Sequence, residues 1–294
     1  MLNATAQPLR TAAAFWRLGL AEGYAYRAGY VNLLLSYPLI IFANYYLYGA
    51  LYGDGRTSIA GYDATEMLTY VSVAWIMRSA LVTSVDRLMG DMVRTGDIAA
   101  YLIKPIGLFW ALLGRTAGGT AYRLSVSSLP LAVLIGVFGS VRPPAGWGAA
   151  GFFALSVALA YLIFFTFRFL IGTLAFRFEY SVNFSWMFDL LTQLLGGLVA
   201  PISLFPSWLR VPISLLPFQG IYSTPVQLYL GKATIVAVPG TGGDIGAGGA
   251  VAGMGSGADT LIGLGGQAAW LLVLLALAFW SYRSGIRKLS VQGG

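Results

Sequence analysis

The sequence contains no cysteine and no histidine among its 294 residues. Disulfides, zinc sites built on Cys or His, histidine general bases and cysteine nucleophiles are therefore excluded. The carboxylates Asp54, Asp63 and Glu66 stand close together, but they flank a short polar turn, and we interpret them as solvated loop charge. We expect no catalytic residue, no metal and no cofactor of this chain's own.

Charged residues are also scarce, at 10%, whereas 57% of the residues are hydrophobic and the mean hydropathy is +0.74. A soluble domain needs about 25% charged residues to cover its surface. Much of this chain must therefore be solvated by lipid. The net charge of +7 would suit nucleic acid, but in so apolar a chain it favours cytoplasm-facing loops. We expect no nucleic-acid partner.

Apolar runs of membrane-spanning length recur along the chain, since a bilayer core needs about 20 residues per helix. They predict an all-α membrane protein. Its transmembrane helices, about six in number, are expected at 29–52, 64–86, 124–141, 149–176, 182–204 and 266–282. Before them, residues 9–28 combine apolar side chains at helical spacing with cationic ones, which predicts an interfacial helix. The alternative is a charged approach to the first span.

Basic residues crowd one set of loops between these spans. Twelve lie in the first set: Arg10, Arg17, Arg27, Arg87, Arg94, Lys104, Arg115, Arg123, Arg177, Arg283, Arg287 and Lys288. The alternate set has four: Arg56, Arg142, Arg210 and Lys232. Because positively charged loops face the cytoplasm, we predict that both termini are cytoplasmic.

The interval 84–123 is the longest charge-bearing stretch between two apolar segments. Asp91, Arg94 and Asp97 follow one another at three-residue spacing, at which side chains on a helix can pair. A solvated loop with incidental ion pairs is the alternative. Since the surrounding chain suits lipid, we expect this cytoplasmic interval to meet an aqueous partner.

Arg78, Arg168 and Asp189 fall in the interior of predicted spans, where an ionisable side chain is costly and therefore a candidate functional residue. Arg78 lies in the second span and can extend toward the inner side. Arg168 and Asp189 flank the short turn 177–180, so an antiparallel hairpin brings them to similar depth. We predict that they pair in the cytoplasmic half, where they either line a substrate route or form a structural ion pair.

Two outer segments follow the fifth predicted span. Residues 205–232 contain four prolines and are too broken to cross as one helix, yet apolar enough to enter the outer leaflet. Residues 233–265 are a glycine-rich, low-complexity stretch. It contains neither G-x-G-x-x-G nor G-x-x-x-x-G-K-[ST], so we interpret it as an extracytoplasmic loop rather than a nucleotide site.

Three stretches resemble a known family. RTGDIAAYLIKP (94–105) is similar to the R-x-G-D/E…K/R-P signature of ABC-2-type exporter permeases, in the cytoplasmic loop after the second span. LLPFQGIYSTPVQLYLGK (215–232) and the C-terminal stretch (267–294) look like the ABC-2 family transporter proteins. The resemblance covers nearly the whole chain. The segment 233–265 departs from it, being longer and richer in glycine than the family's usual link.

The resemblance implies one permease domain over 1–294, in a bacterial cytoplasmic (inner) membrane. It implies a dimer with an identical or homologous permease and two ATPase subunits that bind the ATP. The matching ATPase-coupling positions, in a coupling helix, are Asp91, Arg94, Gly96, Asp97, Lys104 and Pro105. Those matching the outer re-entrant helices are Pro206, Pro217, Phe218 and Gln219.

The function expected on this basis is that of a non-catalytic permease subunit of an ATP-driven exporter, embedded in lipid. The chain has no Walker motif of its own, so ATP hydrolysis would need another polypeptide. The alternative is an ATP-independent secondary transporter or channel, which predicts inverted repeats and midplane acids. A membrane-embedded enzyme or assembly factor would need clustered polar groups that the sequence lacks.

Overall fold

The structure, a computed structural model, describes residues 3–25, 27–53, 57–103, 106–139, 141–177, 182–232 and 257–287. Its regular elements over these ranges are helices, so the predicted all-α class is confirmed. The α-helices are α1 (Asn3–Ala25), α2 (Arg27–Gly53), α3 (Ala64–Leu81), α4 (Val85–Thr95), α5 (Ile98–Leu102), α6 (Leu108–Arg123), α7 (Leu129–Phe138), α8 (Trp147–Thr173), α9 (Val182–Leu195), α10 (Ser207–Ser214), α11 (Ser223–Leu230) and α12 (Gly257–Ile286).

Five stretches of the described chain are long and apolar enough to cross a membrane. They are Leu34–Gly53, Ala64–Thr95, Leu108–Phe138, Trp147–Phe176 and Ala258–Ile286. A helix of 20 residues is about 30 Å long, which matches the hydrocarbon core of a bilayer. The charge-poor sequence therefore folds into helices suited to lipid, as the composition predicts.

The second and third of these stretches differ from the predicted spans. The second breaks at 82–84, where α3 ends and α4 begins, so the predicted span 64–86 joins two helices. The third starts at Leu108 rather than 124 and passes through a π-helical turn, Leu124–Ser128. Arg115, counted above among the loop cations, and the glycines near it lie against another helix.

That helix is α1, which packs parallel to α6 at very short range. Each helix carries two glycines four residues apart, Gly19 and Gly23 on α1 and Gly114 and Gly118 on α6. A Cβ atom on Gly19 would lie 1.7 Å from the carbonyl oxygen of Arg115. Small residues at this spacing let two helix backbones touch. Residues 9–25 of the predicted helix 9–28 are thus observed in α1, whereas residue 26 lies outside the described residues and 27–28 begin α2. The position of this helix at the membrane surface stays a prediction.

The fifth predicted span, 182–204, is wrong in its extent, because α9 ends at Leu195. Gly197 follows in the left-handed region, at φ 80°, and its carbonyl accepts a hydrogen bond of 2.8 Å from the Tyr70 hydroxyl. A Cβ there would lie 2.6 Å from that hydroxyl. The 14 residues of α9 extend about 21 Å, less than the roughly 30 Å of a bilayer core.

After α9 the chain forms short pieces instead of one helix, as the prolines of 205–232 predict. A 3₁₀ turn (Ile202–Leu204) leads to α10, and a second (Pro217–Gly220) leads to α11, which packs against α8 and α3. The last helix, α12, is longer than the predicted span 266–282. Residues 257–265, assigned to the glycine-rich loop, are the first turns of α12, and 233–256 lie outside the described residues.

Two apolar cores lie on either side of α8. The larger joins α2, α3, α8 and α11 around Tyr70, Phe164 and Tyr222. The smaller joins α4, α6, α8 and α12, with Phe109 edge-on to Phe165 and Phe169 at 5.2 and 5.0 Å between ring centroids. We call the end of the bundle with the α4–α5 turn the predicted inner end, and the end with residues 57–66 the predicted outer end.

Candidate functional site

The α4–α5 turn presents the predicted coupling residues at the surface. Helix α4 buries Asp86, Met89 and Met92 and exposes Asp91 and Arg94. The predicted pairing of these two exposed residues is confirmed, with 3.1 Å between Arg94 Nη2 and Asp91 Oδ1. An exposed pair of this kind stabilises a fold by less than about 1 kcal/mol. Its charges therefore remain accessible to a partner.

Gly96 makes the turn possible because its φ of 80° is in the left-handed region. Asp97 does not pair with Arg94 as the spacing suggested. Its carboxylate accepts a hydrogen bond of 2.7 Å from the Thr95 hydroxyl, which fixes the turn. Asp91, Arg94, Gly96 and Asp97 thus share one exposed turn. The predicted coupling residues Lys104 and Pro105 lie outside the described residues.

On the opposite face of α4, Asp86 belongs to a buried ion-pair cluster. Its Oδ2 accepts a hydrogen bond of 2.7 Å from Arg168 on α8, and the exposed fractions of the two side chains are 0% and 2%. Arg168 also donates to Asp189 on α9, so the predicted Arg168–Asp189 pair is confirmed. The guanidinium lies 5.2 and 5.0 Å from the ring centroids of Phe164 and Phe188. Arg168 therefore joins α4, α8 and α9.

Two further arginines lie near Asp189. Arg78 on α3 and Arg87 on α4 each lie 3.7 Å from a carboxylate oxygen of Asp189. Arg78 also donates to the Tyr222 hydroxyl at 3.4 Å. The cluster thus brings together three guanidinium groups and two carboxylates, from four helices. Arg78, Arg168 and Asp189, predicted separately, form one site.

Asp86 and Arg87 are the members that sequence reasoning missed, because both were assigned to the solvated interval 84–123. A signal was present: Val85, Met89 and Met92 recur at helical spacing and are buried. Asp86 falls beside that apolar stripe. An acid beside a buried stripe needs a cation, and Arg168 lies 82 residues away.

The predicted residues of the outer segment make contacts within the bundle. Pro206 precedes α10, and Pro217 begins the second 3₁₀ turn. Phe218 stacks on Phe167, with 5.4 Å between ring centroids. The Gln219 side chain donates to the Ser214 carbonyl at 2.5 Å. These contacts fix the broken segment against the helices, and a role near an exit stays a prediction.

A comparison with protein families now decides the class of protein. The family model described as ABC-2 family transporter protein matches residues 38–293. The chain belongs to this family. The chain is thus a multi-pass membrane permease of ABC-type transporters, consistent with its apolar helices. Comparison with curated proteins returns no match.

In this ABC-2 permease, Arg115 connects α1 to the start of the third span. Its Nη2 and Nε donate to the two carboxylate oxygens of Glu22 at 2.7 and 2.9 Å, a bidentate pair. Its Nη1 donates to the Tyr101 hydroxyl on α5 at 3.1 Å. Arg115 therefore ties α1 to α5, the helix that follows the α4–α5 turn, an arrangement that its assignment as loop charge did not predict.

The predicted outer end of the permease has a second ion-pair cluster. Asp63 caps α3, and Arg142, from the loop before α8, lies 2.9 Å from Asp63 and 3.3 Å from Glu66. Lys232, after α11, pairs with Glu66 at 2.7 Å and lies 4.3 Å from the ring centroid of Tyr62. Burial raises the pKa of the Tyr62 hydroxyl. Asp63 and Glu66 are more than isolated loop charges, since both join separate segments, while the Asp63 side chain stays 40% exposed. Asp54 lies outside the described residues.

Neither cluster has the composition of a metal or catalytic centre. Over the described ranges, the structure has no group of three or more acidic side chains close enough to hold a metal ion. Each acid is next to arginine or lysine instead. Paired acidic and basic side chains of this kind can bind a charged ligand or hold helices together.

Proposed function

We propose that this permease is the membrane subunit of an ATP-binding cassette exporter. In this proposal two permeases, identical or homologous, form the translocation path between them, and two separate ATPase subunits drive it. The chain itself holds no cofactor, because the ATP is bound by the ATPases. It lies in the bacterial inner membrane with both termini in the cytoplasm.

The observation that carries the proposal is the two-sided character of α4. One face exposes Asp91 and Arg94 at the predicted inner end. The other face buries Asp86 against Arg168, which reaches Asp189 on α9. A movement imposed on the exposed face is therefore transmitted to α8 and α9 through ion pairs with short contacts. That is what a subunit driven by an external ATPase requires.

The link from α5 to α1 supports the same assignment. Arg115 holds Tyr101 of α5 and Glu22 of α1 at once. The ring of Phe15 lies 5.8 Å from that of Tyr101. The N-terminal helix and the coupling turn therefore form one surface, to which an ATPase would bind as a unit. Lys104 and Pro105, outside the described residues, remain proposed coupling positions on the family resemblance alone.

The first experiment tests binding of the ATPase. The permease is purified from its native membrane, and an associated ATPase is identified by its Walker sequence and by ATP hydrolysis. We expect Arg94→Glu to abolish this association, because it places an acid beside Asp91. Arg283→Glu, an equal charge change at an exposed position of α12, is the matched control. Transport by permease reconstituted without any ATPase would overturn the proposal and favour the secondary transporter or channel.

A further inference from the structure

We infer that Arg78 and Arg87, on either side of Asp189, form a binding site for the anionic headgroup of an amphiphilic ligand. The inference names a substrate class for the proposed transporter and so rests on the proposed function. It assigns to the permease a ligand with a phosphate or carboxylate at one end and a hydrocarbon tail at the other.

The first argument is the charge of the cluster. Three arginines face two aspartates, which leaves one positive charge uncompensated. Asp86 is fully buried and pairs with Arg168, so it is not shared with the other two arginines. Asp189 alone remains for Arg78 and Arg87. In the low dielectric of a membrane-embedded bundle, an unmatched cation attracts an anion strongly.

The second argument is the geometry around Asp189. Arg78 and Arg87 lie 3.7 Å from its oxygens, whereas charge-assisted hydrogen bonds measure about 2.7–2.9 Å. Arg168 makes the short contact with this carboxylate instead. Within the part of the chain that the structure describes, Arg87 donates no hydrogen bond. Two guanidinium groups therefore lie beside a carboxylate that forms only long ion pairs with them, and Arg78 makes a further contact, with the Tyr222 hydroxyl.

The third argument is access. The Arg87 side chain is 55% exposed and that of Asp189 18% exposed, so a ligand can reach the cluster from the surface. Beyond it, α9 exposes an apolar stripe that includes Trp186, Leu190 and Leu194. A cationic site next to an exposed apolar helix face matches a headgroup with an attached tail. An anion without a tail would use only half of this surface.

The experiment measures binding to purified permease in detergent, without an ATPase. Three probes are titrated: short-chain phosphatidylglycerol, short-chain phosphatidylcholine and glycerol phosphate. We expect phosphatidylglycerol to bind most tightly. Arg87→Gln should weaken its binding about threefold to tenfold, the effect of losing one part-exposed charge-assisted contact. Arg283→Gln, at an exposed position of α12, is the matched control and should leave binding unchanged.

Asp189→Asn distinguishes a binding site from a purely structural cluster. Removing the carboxylate raises the surplus to two positive charges, so binding of phosphatidylglycerol should become tighter. A purely structural cluster would instead leave binding unchanged in both variants, or lower it in both if the bundle loosens, and either result overturns the inference. Thermal unfolding of each variant shows that it is folded before it is titrated.

Each outcome bears on the inference. Opposite effects of Arg87→Gln and Asp189→Asn support it. Equal binding of phosphatidylglycerol and phosphatidylcholine, or parallel loss in the two variants, overturns it. Equal binding of glycerol phosphate supports the anion site but identifies a soluble anion as the ligand. Because no ATPase is present, a negative result here leaves the ATPase-binding experiment unaffected, and the two proposals fail separately.

Discussion

At the scale of single residues, Arg168 is a buried guanidinium with carboxylate partners on two different helices. Moving a charge out of water costs several kcal/mol, which only close opposite charges offset. Two polar atoms of the cluster, Asp86 Oδ1 and Arg168 Nε, are buried without a hydrogen-bond partner among the described residues. The cluster therefore joins α4, α8 and α9 through paired charges.

Neutralising Asp86 should destabilise the permease strongly. Asp86→Asn keeps the shape but leaves Arg168 with one carboxylate, and removing one partner of a buried ion pair costs about 3–5 kcal/mol. Thermal unfolding in detergent measures the loss. Asp91→Asn, the same change on the exposed face of α4, should stay within about 0.5 kcal/mol of the wild type. Equal effects of the two substitutions would contradict the buried position of Asp86.

Exchanging the charges of Arg168 and Asp189 should not restore stability. In the double variant Arg168→Asp with Asp189→Arg, the new aspartate faces Asp86, and like charges at that distance repel in a buried site. We expect the double variant to unfold at a temperature no higher than either single variant. Adding Asp86→Asn should recover part of the loss. Full recovery by the exchange alone would mean that Asp86 is not a partner.

At the scale of elements, the contact between α1 and α6 is the tightest backbone approach that the glycines reveal. A Cβ on Gly118 would lie 2.0 Å from the carbonyl oxygen of Trp16, which belongs to the backbone and cannot turn aside. The close approach brings Glu22 within reach of Arg115. The N-terminal helix is thus fixed by shape as well as by charge.

Gly118→Ala should separate α1 from α6. The added methyl group overlaps the backbone of α1, and overpacking of this kind costs about 1–3 kcal/mol. Trypsin digestion should then cleave faster after Arg17, in α1. Gly136→Ala is the matched control, since a Cβ there meets no atom within 4 Å. It should leave the cleavage rate unchanged. Unchanged cleavage in Gly118→Ala would show that the two helices are less closely packed than described.

The elements also show what one sequence can predict. Long apolar runs, such as the one in α8, identified the helices because a helix that crosses a bilayer must be apolar over about 20 residues. The end of α9 was missed, since two adjacent glycines inside an apolar run mark a turn only when Tyr70 and Ser223 are known to meet them. Arg115 appeared to interrupt the third span because its partner Glu22 is 93 residues away.

The sequence likewise predicted the candidate site only in part. Arg168 and Asp189 could be paired because a short turn connects their helices. Asp86 and Arg168, 82 residues apart, could not be paired from one sequence. The same holds for Asp63 and Arg142, 79 residues apart. Local patterns fix helices and turns, whereas partners on different helices depend on packing that no local pattern encodes.

At the scale of the whole molecule, the two ends of the bundle are built differently. The outer cluster of Asp63, Glu66, Arg142 and Lys232 connects three separate loops. The predicted inner end instead exposes the α4–α5 turn, behind which the buried cluster lies. Within the described chain, the inner end thus carries the surface suited to a partner and the outer end the cross-links between loops.

The absence of cysteine makes the predicted orientation directly testable. Single cysteines can be introduced at two exposed positions, Ser58→Cys near the predicted outer end and Ala99→Cys in α5. In intact cells, a membrane-impermeant maleimide should label Ser58→Cys. Ala99→Cys should be labelled only after the membrane is permeabilised. The cysteine-free parent chain is the control. The reverse pattern would place the coupling turn outside the cell and exclude binding of a cytoplasmic ATPase.

Because the helix breaks at 82–84, a rotation of α4 about that break would move its two ends by very different distances. Its 11 residues extend about 16 Å, so a rotation of about 10° moves the far end by roughly 3 Å. Asp86, one residue into the helix, moves by less than about 1 Å in the same rotation. A force applied near Arg94 by the proposed ATPase would accordingly act with greater magnitude on Asp86, close to the break, and through Asp86 on the Arg168 guanidinium.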